Sequence, residues 1–225
     1  MFDLDGTLVD SVPDIAAALN DLFAEQGWSP FAEEEVRGMV GGGVPKLIER
    51  ALRARELAVE AERHAALAAR FIALYGPRAT RQTRPYPGVR AVLEQFAASG
   101  TAMAVCTNKP EAITRAMIAE LGLGRFFGAF VGGDTLAVKK PAPEPVLEAL
   151  GQLGCPRSGA VMVGDSGADA KAARAAGLPV VLVTYGYSRE PVAQLGADAL
   201  VDSFCELPRV LSRLPTGGHT GMAQK

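Results

Sequence analysis

Four short apolar segments in the second half of the chain alternate with helical patterns. They cover residues 101–106, 130–131, 160–163 and 179–183, and hardly a polar side chain interrupts them. A strand that is apolar throughout is buried on both faces, which occurs when helices cover both sides of a parallel sheet. The alternation therefore predicts an α/β fold with a doubly wound, Rossmann-like parallel sheet.

The first part of the chain has a different pattern. Between residues 13 and 82 the apolar residues recur at helical spacing, and no segment is typical of a strand. We therefore expect an α-helical cap domain inserted into the α/β domain. The predicted domains are a cap of residues 13–82 and a catalytic core of residues 1–12 and 83–214, followed by a disordered tail of residues 215–225.

The chain would cross between the two predicted domains near residues 11–13 and 82–86, so these stretches are candidate hinges. Ser11 is the predicted N-cap of the first helix. Pro13 stands in the first turn, and Asp14 follows three residues after the cap.

Composition narrows the classes of function. The 225 residues are 48% hydrophobic and carry a net charge of -2, so we expect a buried core and neither nucleic acid nor a membrane as partner. No apolar run reaches the length of a membrane span, and the start is too short and acidic for a secretory signal. Three widely spaced cysteines indicate reduced thiols in a cytoplasmic protein. A monomer and a homodimer are both compatible with the sequence.

Two carboxylates stand one residue apart at the start of the chain. If residues 2–5 end a buried strand, Asp3 and Asp5 point the same way from its carboxyl end, where open α/β sheets bind ligands. Like charges about 4 Å apart repel by about 4 kcal/mol at an effective dielectric of about 20. A divalent cation or a shared proton would relieve this repulsion, which is typical of catalytic sites. The structural alternative is a surface turn after a short strand.

Three more strand-to-helix junctions carry polar residues. Thr107 and Asn108 either bind a phosphate at a helix N-terminus or simply cap that helix. Lys140 stands in a Lys-Pro-x-Pro stretch whose prolines stiffen the backbone, and it either binds an anion or lies in solvent. Asp165 and Asp169 lie one helical turn apart, where carboxylate oxygens suit Mg²⁺ or cap the helix.

Taken together, these stretches resemble the signature of the haloacid dehalogenase-like hydrolase superfamily. The matching motifs are Asp-x-Asp-Gly-Thr, a threonine ending the next strand, Lys-Pro-x-Pro and Gly-Asp-x-x-x-Asp, in the family's order. The helical insertion after the first motif resembles the family's cap. The family has four or five apolar residues before the first aspartate and this sequence has two, so we also expect a first strand that lacks most of its residues.

The resemblance implies Mg²⁺-dependent hydrolysis of a small-molecule phosphate monoester. Asp3 would be the nucleophile that forms an aspartyl-phosphate, and Asp5 the acid and base. Mg²⁺ would be held by an Asp3 oxygen, the Asp5 backbone carbonyl and Asp165, with Asp169 supporting the site. The groups implied to bind the phosphoryl oxygens are those of Thr107, Asn108 and Lys140.

Further stretches, at residues 39–43, 86–88 and 184–187, are similar to those of family members that hydrolyse 2-phosphoglycolate. Gly42 and Gly43 are the candidate substrate-binding residues of this set. Without side chains, their backbone N–H groups can approach a small carboxylate. The structural alternative is a flexible connector that touches no ligand.

Two other functions stay open at this point. A phosphosugar isomerase similar to β-phosphoglucomutase is disfavoured by Thr7, because mutases usually carry valine there, and by the lack of a basic pair in the predicted cap. A non-catalytic binder of phosphate ligands on the same fold is favoured by the short first strand. The intact motif aspartates argue against it.

Overall fold

The part of the chain that directly follows the first ten residues is mainly helical. The computed structural model describes residues 1–214, so the predicted tail of residues 215–225 lies outside the described residues. The first group of elements is β1 (Val9–Asp10), α1 (Val12–Glu25), α2 (Glu33–Arg37), α3 (Val44–Ala54), α4 (Ala61–Tyr75) and β2 (Arg84–Pro85). β1 pairs antiparallel with β2, so the helical segment, α1 to α4, starts and ends at adjacent strands.

Strands and helices alternate in the rest of the described chain. The second group of elements is α5 (Val89–Ala98), β3 (Ala104–Cys106), α6 (Glu111–Glu120), β4 (Ala129–Val131), α7 (Glu144–Leu153), β5 (Met162–Gly164), α8 (Gly167–Ala175), β6 (Val180–Val183), β7 (Ala199–Val201) and α9 (Leu207–Leu211). Strands β3 to β6 are buried along their whole length, as the apolar sequence predicts.

All pairings of β3 to β7 are parallel, and Phe2 joins them into one sheet. Phe2 bridges Val105 of β3 on one side and Val163 of β5 on the other, both in parallel. The order across the sheet is therefore β4, β3, Phe2, β5, β6, β7. The predicted α/β fold with a parallel sheet is confirmed, and the stretch before Asp3 lies at the centre of the sheet.

Several element boundaries differ from the sequence prediction. The segment at residues 101–106 is a strand only from Ala104 onward, and Val59, which lies within the stretch of helical spacing at residues 13–82, precedes α4. Strand β7 was not predicted. Its middle residue, Leu200, is 40% exposed at the sheet edge, so β7 lacks the continuous apolar pattern of the central strands.

The predicted N-cap of α1 is wrong in its side-chain contact. Ser11 occupies the cap position, but its side chain makes no capping hydrogen bond. The Ser11 backbone, with φ of -108° and ψ of -2°, lacks the extended conformation that is typical of a capping residue. Its hydroxyl donates to Asp5 Oδ1 at 2.6 Å. Asp14 is also not a capping partner. It is buried and accepts hydrogen bonds from the backbone N–H groups of Gln82 and Thr83 and from the Thr83 hydroxyl.

The helical segment has its own apolar core. Phe23 and Leu19 of α1, Ile48 of α3 and Phe71 of α4 are almost fully buried. Each such side chain stabilises the fold by about 1.5–3 kcal/mol relative to an exposed one. Over residues 1–214, no helix has both the length and the apolar character that crossing a bilayer requires.

Candidate active site

The predicted site residues meet at one edge of the sheet. Asp3 follows the central strand residue Phe2, Thr107 follows β3 and Asp165 follows β5. Because the strands are parallel, their carboxyl ends lie side by side. A cavity opens there, and the predicted residues that line it are Asp3, Asp5, Gly42, Gly43, Thr107, Asn108, Lys140 and Asp165.

The remaining predicted residue, Asp169, lies behind this lining. Its Oδ1 accepts a hydrogen bond from Lys140 Nζ at 2.6 Å. Its Oδ2 accepts hydrogen bonds from the Ser166 hydroxyl and from the backbone N–H groups of Ser166 and Asp165. Since both oxygens are occupied, Asp169 is suited to hold Lys140 and the start of α8 in place.

Asp3 and Asp5 are each paired with a different lysine. Lys140 Nζ lies 3.1 Å from Asp3 Oδ1, and Lys109 Nζ lies 2.9 Å from Asp5 Oδ1. The repulsion between the two carboxylates is therefore relieved by protein cations on both sides. Burial raises the pKa of Asp3 to about 6, although Lys140 opposes that shift.

A cluster of acidic groups surrounds Lys140. Carboxylate oxygens of Asp3, Asp165 and Asp169 lie within 4.8 Å of one another. Burial, followed by repulsion from Asp169 and Asp3, raises the pKa of Asp165 well above its usual range. For Lys140 burial alone would lower the pKa, but Asp169 and Asp3 raise it above the ordinary lysine value, so the ammonium stays charged.

The acidic cluster fits a magnesium ion. Three carboxylates and one ammonium carry an excess of two negative charges when all are ionised, and buried negative charge requires a counterion. The donor atoms are hard oxygens, and Mg²⁺ typically takes one or two carboxylates and keeps several waters. Asp3 and Asp165 line the cavity, whereas Asp169 is fully engaged, so Asp3 and Asp165 are the carboxylates free to coordinate an ion.

Two glycines make room for Asp165. A Cβ atom built on Gly6 or on Gly186 would overlap the Asp165 side chain. The backbone N–H of Tyr187, one residue further on, donates to Asp165 Oδ2 at 2.6 Å. The stretch at residues 184–187, which was similar to family members by sequence alone, thus holds a carboxylate of the acidic cluster.

The phosphate-binding candidates differ in their contacts. Asn108 Nδ2 donates to the backbone carbonyl of Lys140 at 2.8 Å, and its Oδ1 has no partner within residues 1–214. The Thr107 hydroxyl oxygen accepts a hydrogen bond from the Lys109 backbone N–H. Lys140 Nζ contacts the Cys106 carbonyl oxygen besides Asp169 and Asp3. All three residues line the same cavity as Asp3, as a common role requires.

The glycine loop at residues 41–43 reaches the same cavity from the helical segment. All three glycines have φ between 84° and 99°, a backbone region that other residues rarely adopt. Arg50 of α3 donates to the carbonyl oxygens of Met39 and Gly41, which fixes the loop from the side of α3. A Cβ atom on Gly43 would lie 3.0 Å from the Asn108 carbonyl oxygen, so the loop lies against the predicted core at this point.

The sequence predicted no role for Lys109, Tyr75 or Tyr187, and for Ser11 it predicted only a helix cap. Lys109 directly follows the Thr107-Asn108 pair, and this position was the one available signal. The sequence does not distinguish a buried lysine from a solvated one, and the structure shows that Lys109 is buried. Tyr187 donates its hydroxyl to Asp10 Oδ1 and accepts a hydrogen bond from the Ser11 backbone N–H. These residues are linked to the carboxylates only through the tertiary fold.

Two carboxylates thus follow the central strand, two more follow the neighbouring strand β5, and a buried lysine contacts both pairs, an arrangement that suits hydrolytic chemistry. The chain matches the haloacid dehalogenase-like hydrolase family over residues 1–183. It belongs to this family.

Individual relatives are similar over nearly the whole chain. A phosphoglycolate phosphatase from Rhodospirillum rubrum is 47% identical over 222 residues, which cover 97% of this chain and 92% of the relative. The crystal structure of a predicted phosphoglycolate phosphatase from Haemophilus somnus is 33% identical, with a TM-score of 0.87 and coverage of 93% of this chain and 95% of that one. CbbY from Rhodobacter sphaeroides, crystallised with phosphate, is 29% identical, with a TM-score of 0.78 and coverage of 92% and 94%.

Proposed function

We propose that this protein is a Mg²⁺-dependent phosphatase that hydrolyses small phosphate monoesters, with 2-phosphoglycolate as its preferred substrate. The observation that carries the proposal is the placement of Asp3 in the cavity, where it contacts Lys140 and belongs to the acidic cluster, with Asp5 lining the same cavity. Membership of the hydrolase family and the names of the relatives support the same conclusion.

Asp3 and Asp5 divide the chemistry between them. An Asp3 oxygen attacks phosphorus, an aspartyl-phosphate bond forms and the bond to the ester oxygen breaks, while Asp5 gives a proton to the leaving alkoxide. In the second step Asp5 takes a proton from water, whose oxygen attacks phosphorus and releases inorganic phosphate and free Asp3. Both carboxylates line the cavity, which allows them to act on one substrate.

The other polar groups stabilise charge. Thr107, Asn108 and Lys140 line the cavity together with Asp3 and would bind the phosphoryl oxygens, whose negative charge must be stabilised during transfer. Asp3, Asp165 and the Asp5 backbone carbonyl would hold Mg²⁺, and Asp169 would keep Lys140 in place. Mg²⁺ in this position would supply positive charge next to the phosphoryl group.

The cavity is lined by groups of both the helical segment and the sheet edge, among them Gly42 and Gly43 on one part and Asp3 and Asp5 on the other. In this proposal the helical segment of residues 13–82 acts as a cap over a core of residues 1–12 and 83–214. Gly42 and Gly43 would then present backbone N–H groups to the substrate carboxylate.

Release of inorganic phosphate from a panel of esters tests the proposed function. We expect kcat/KM to be highest for 2-phosphoglycolate, ahead of sugar phosphates and nucleotides. Conversion of a sugar phosphate to its isomer without phosphate release would favour the alternative hypothesis of a phosphosugar isomerase. Tight binding of 2-phosphoglycolate without turnover in the presence of Mg²⁺ would favour a non-catalytic binder.

Replacing Gly43 by alanine should impair substrate recognition more than replacing Gly42. Both glycines have nearly the same φ, 86° and 84°, so the backbone strain is matched. A Cβ on Gly43 meets the Asn108 carbonyl and Lys139, whereas a Cβ on Gly42 meets Lys46 and Arg50 of α3. We expect Gly43→Ala to raise KM for 2-phosphoglycolate about tenfold or more, the effect of losing one hydrogen bond to a charged group.

Steady-state kinetics on two substrates tests this expectation, with Gly42→Ala as the variant of matched backbone strain. p-Nitrophenyl phosphate has no carboxylate, so its KM should change little in Gly43→Ala. Equal losses on both substrates would indicate that the loop serves closure or folding and not carboxylate recognition.

Magnesium should stabilise the protein, and more so at neutral than at acidic pH. The raised pKa values of Asp3 and Asp165 mean that the metal-free folded protein holds protons that the unfolded chain has already released. The stability of the metal-free protein should therefore fall as the pH rises from about 4 to about 6. These limits are the ordinary pKa of an aspartate and the raised pKa of Asp3. Above that window the cluster is charged and Mg²⁺ replaces the lost protons.

Thermal unfolding with and without Mg²⁺ measures this linkage. At a concentration about 100 times Kd, we expect Mg²⁺ to raise Tm by about 5–10 °C near pH 7.5 and by much less near pH 5. Asp165→Asn should lose most of the shift. A shift that is equal at both pH values, or that persists in Asp165→Asn, would place the ion elsewhere.

A further inference from the structure

Lys109 is a buried cation that the proposed mechanism does not use. The residue is 6% exposed, and its ammonium donates to both oxygens of Asp5, at 2.9 and 3.1 Å. It also donates to the Tyr75 hydroxyl oxygen at 2.7 Å. Burial alone would lower the pKa of Lys109, but Asp5 and then Tyr75 raise it above the ordinary lysine value, so the ammonium stays charged.

The two partners of Lys109 come from different parts of the molecule. Asp5 follows the central strand, whereas Tyr75 is the last residue of α4 in the helical segment. Tyr75 is 2% exposed, and its ring stacks on Phe71 of the same helix, with centroids 5.5 Å apart. The stacked ring thus fixes the position of the Tyr75 hydroxyl next to Lys109.

Asp5 is held from a second direction as well. The Ser11 hydroxyl donates to Asp5 Oδ1 at 2.6 Å, from the point where the chain enters α1. A carboxylate fixed by donors on both sides has little freedom to rotate. For an acid or base, this matters because the proton must be delivered along a defined line to within about 3 Å of its target.

We propose that Lys109 and Tyr75 are positioning residues for Asp5, and that through them the seating of α4 on the core sets the efficiency of proton transfer. This inference rests on the proposed function, in which Asp5 protonates the leaving group. Lys109 orients the Asp5 carboxylate, and Tyr75 orients the Lys109 ammonium. Proton transfer then works at full rate only when the helical segment lies in the position seen here.

The test compares substrates that differ in their need for a proton. The alkoxide leaving 2-phosphoglycolate must be protonated, whereas p-nitrophenolate is stable as an anion. Tyr75→Phe removes only the hydroxyl, and Lys109→Met removes the charge at similar length. For 2-phosphoglycolate we expect kcat/KM to fall about tenfold or more in Lys109→Met and several-fold in Tyr75→Phe, a part of the full effect of an acid or base. For p-nitrophenyl phosphate it should fall much less.

Tyr185→Phe is the matched control for Tyr75→Phe. The Tyr185 hydroxyl donates to the Thr7 carbonyl oxygen at 3.0 Å and does not contact Asp5 or Lys109. This variant should lose similar stability, as measured by Tm, but keep the wild-type ratio of the two kcat/KM values. If Tyr75→Phe also keeps that ratio, its role is structural and the proposal is overturned.

A double-mutant cycle with Asp5→Asn separates positioning from direct action on the phosphate. If Lys109 acts through Asp5, Lys109→Met should cause little further loss of kcat/KM for 2-phosphoglycolate in the Asp5→Asn background. Additive losses, or equal losses on both substrates, would assign Lys109 to phosphate binding and overturn the proposal. Failure of the proposed function would look different, because the wild-type protein would then release no phosphate from either ester.

Discussion

Replacing Asp3 with asparagine is expected to remove phosphatase activity almost completely while leaving the fold intact. Asparagine has the same shape as aspartate but cannot attack phosphorus, so no aspartyl-phosphate can form. Removal of the nucleophile from an enzyme that works by covalent catalysis costs roughly 10⁴- to 10⁶-fold in kcat. The fold should tolerate the change because Lys140 keeps its ion pair with Asp169, at 2.6 Å, and because burial, which raises the pKa of Asp3 to about 6, disfavours the carboxylate that is removed.

Phosphate release, circular dichroism and Tm of the purified variant measure this effect. Asp21→Asn is a suitable control, since Asp21 is a half-exposed partner of Arg78 on the helical segment. Activity of Asp3→Asn within tenfold of the wild type, with an unchanged spectrum, would show that Asp3 is not the nucleophile. Trapping of a phosphorylated wild-type protein, but not of Asp3→Asn, would support the assignment independently.

Asp5→Asn is expected to have the second largest effect, a loss of about 10²- to 10⁴-fold in kcat, which is the usual contribution of a general acid or base. The substitution removes the proton donor and acceptor, and it leaves Lys109 without its carboxylate partner. Because p-nitrophenolate needs no proton, the first step should slow much less with p-nitrophenyl phosphate than with 2-phosphoglycolate. The second step needs a base for both substrates.

Pre-steady-state kinetics can separate these two steps. With p-nitrophenyl phosphate, Asp5→Asn should show a burst of p-nitrophenolate followed by slow turnover, because the aspartyl-phosphate forms but is hydrolysed slowly. Asp3→Asn should show no burst. An Asp5→Asn variant with wild-type rates on both substrates would mean that another group transfers the proton.

Much of the fold follows from local patterns in the chain. The apolar segments around β3 to β6 are continuous enough to identify buried parallel strands, because only strands covered on both faces lack polar positions. Asp3, Thr107 and Asp165 could be predicted as neighbours for the same reason, since the carboxyl ends of parallel strands share one edge. Strand β7 could not be predicted in this way, because its half-exposed edge position leaves it without that continuous pattern.

The site residues also differ in how far the sequence predicts them. Asp3, Asp5 and Asp165 follow strands, so the sequence by itself predicts that they lie at one edge of the sheet, and Lys140, in the segment between β4 and α7, lines the same cavity. The role of Lys140 as a partner of both Asp3 and Asp169 was only partly visible, because the exposure of a lysine depends on what packs around it.

Only the tertiary structure decided which groups hold Asp5. Lys109 is 104 positions away from Asp5 in the sequence, and Tyr75 is 34 positions away from Lys109. No local periodicity brings such residues together. Their contact depends on the order of strands in the sheet and on the position of α4. Ser11 shows the same limit at short range, since its sequence position predicts a helix cap, while the fold gives its backbone a different conformation and places its hydroxyl against the Asp5 carboxylate.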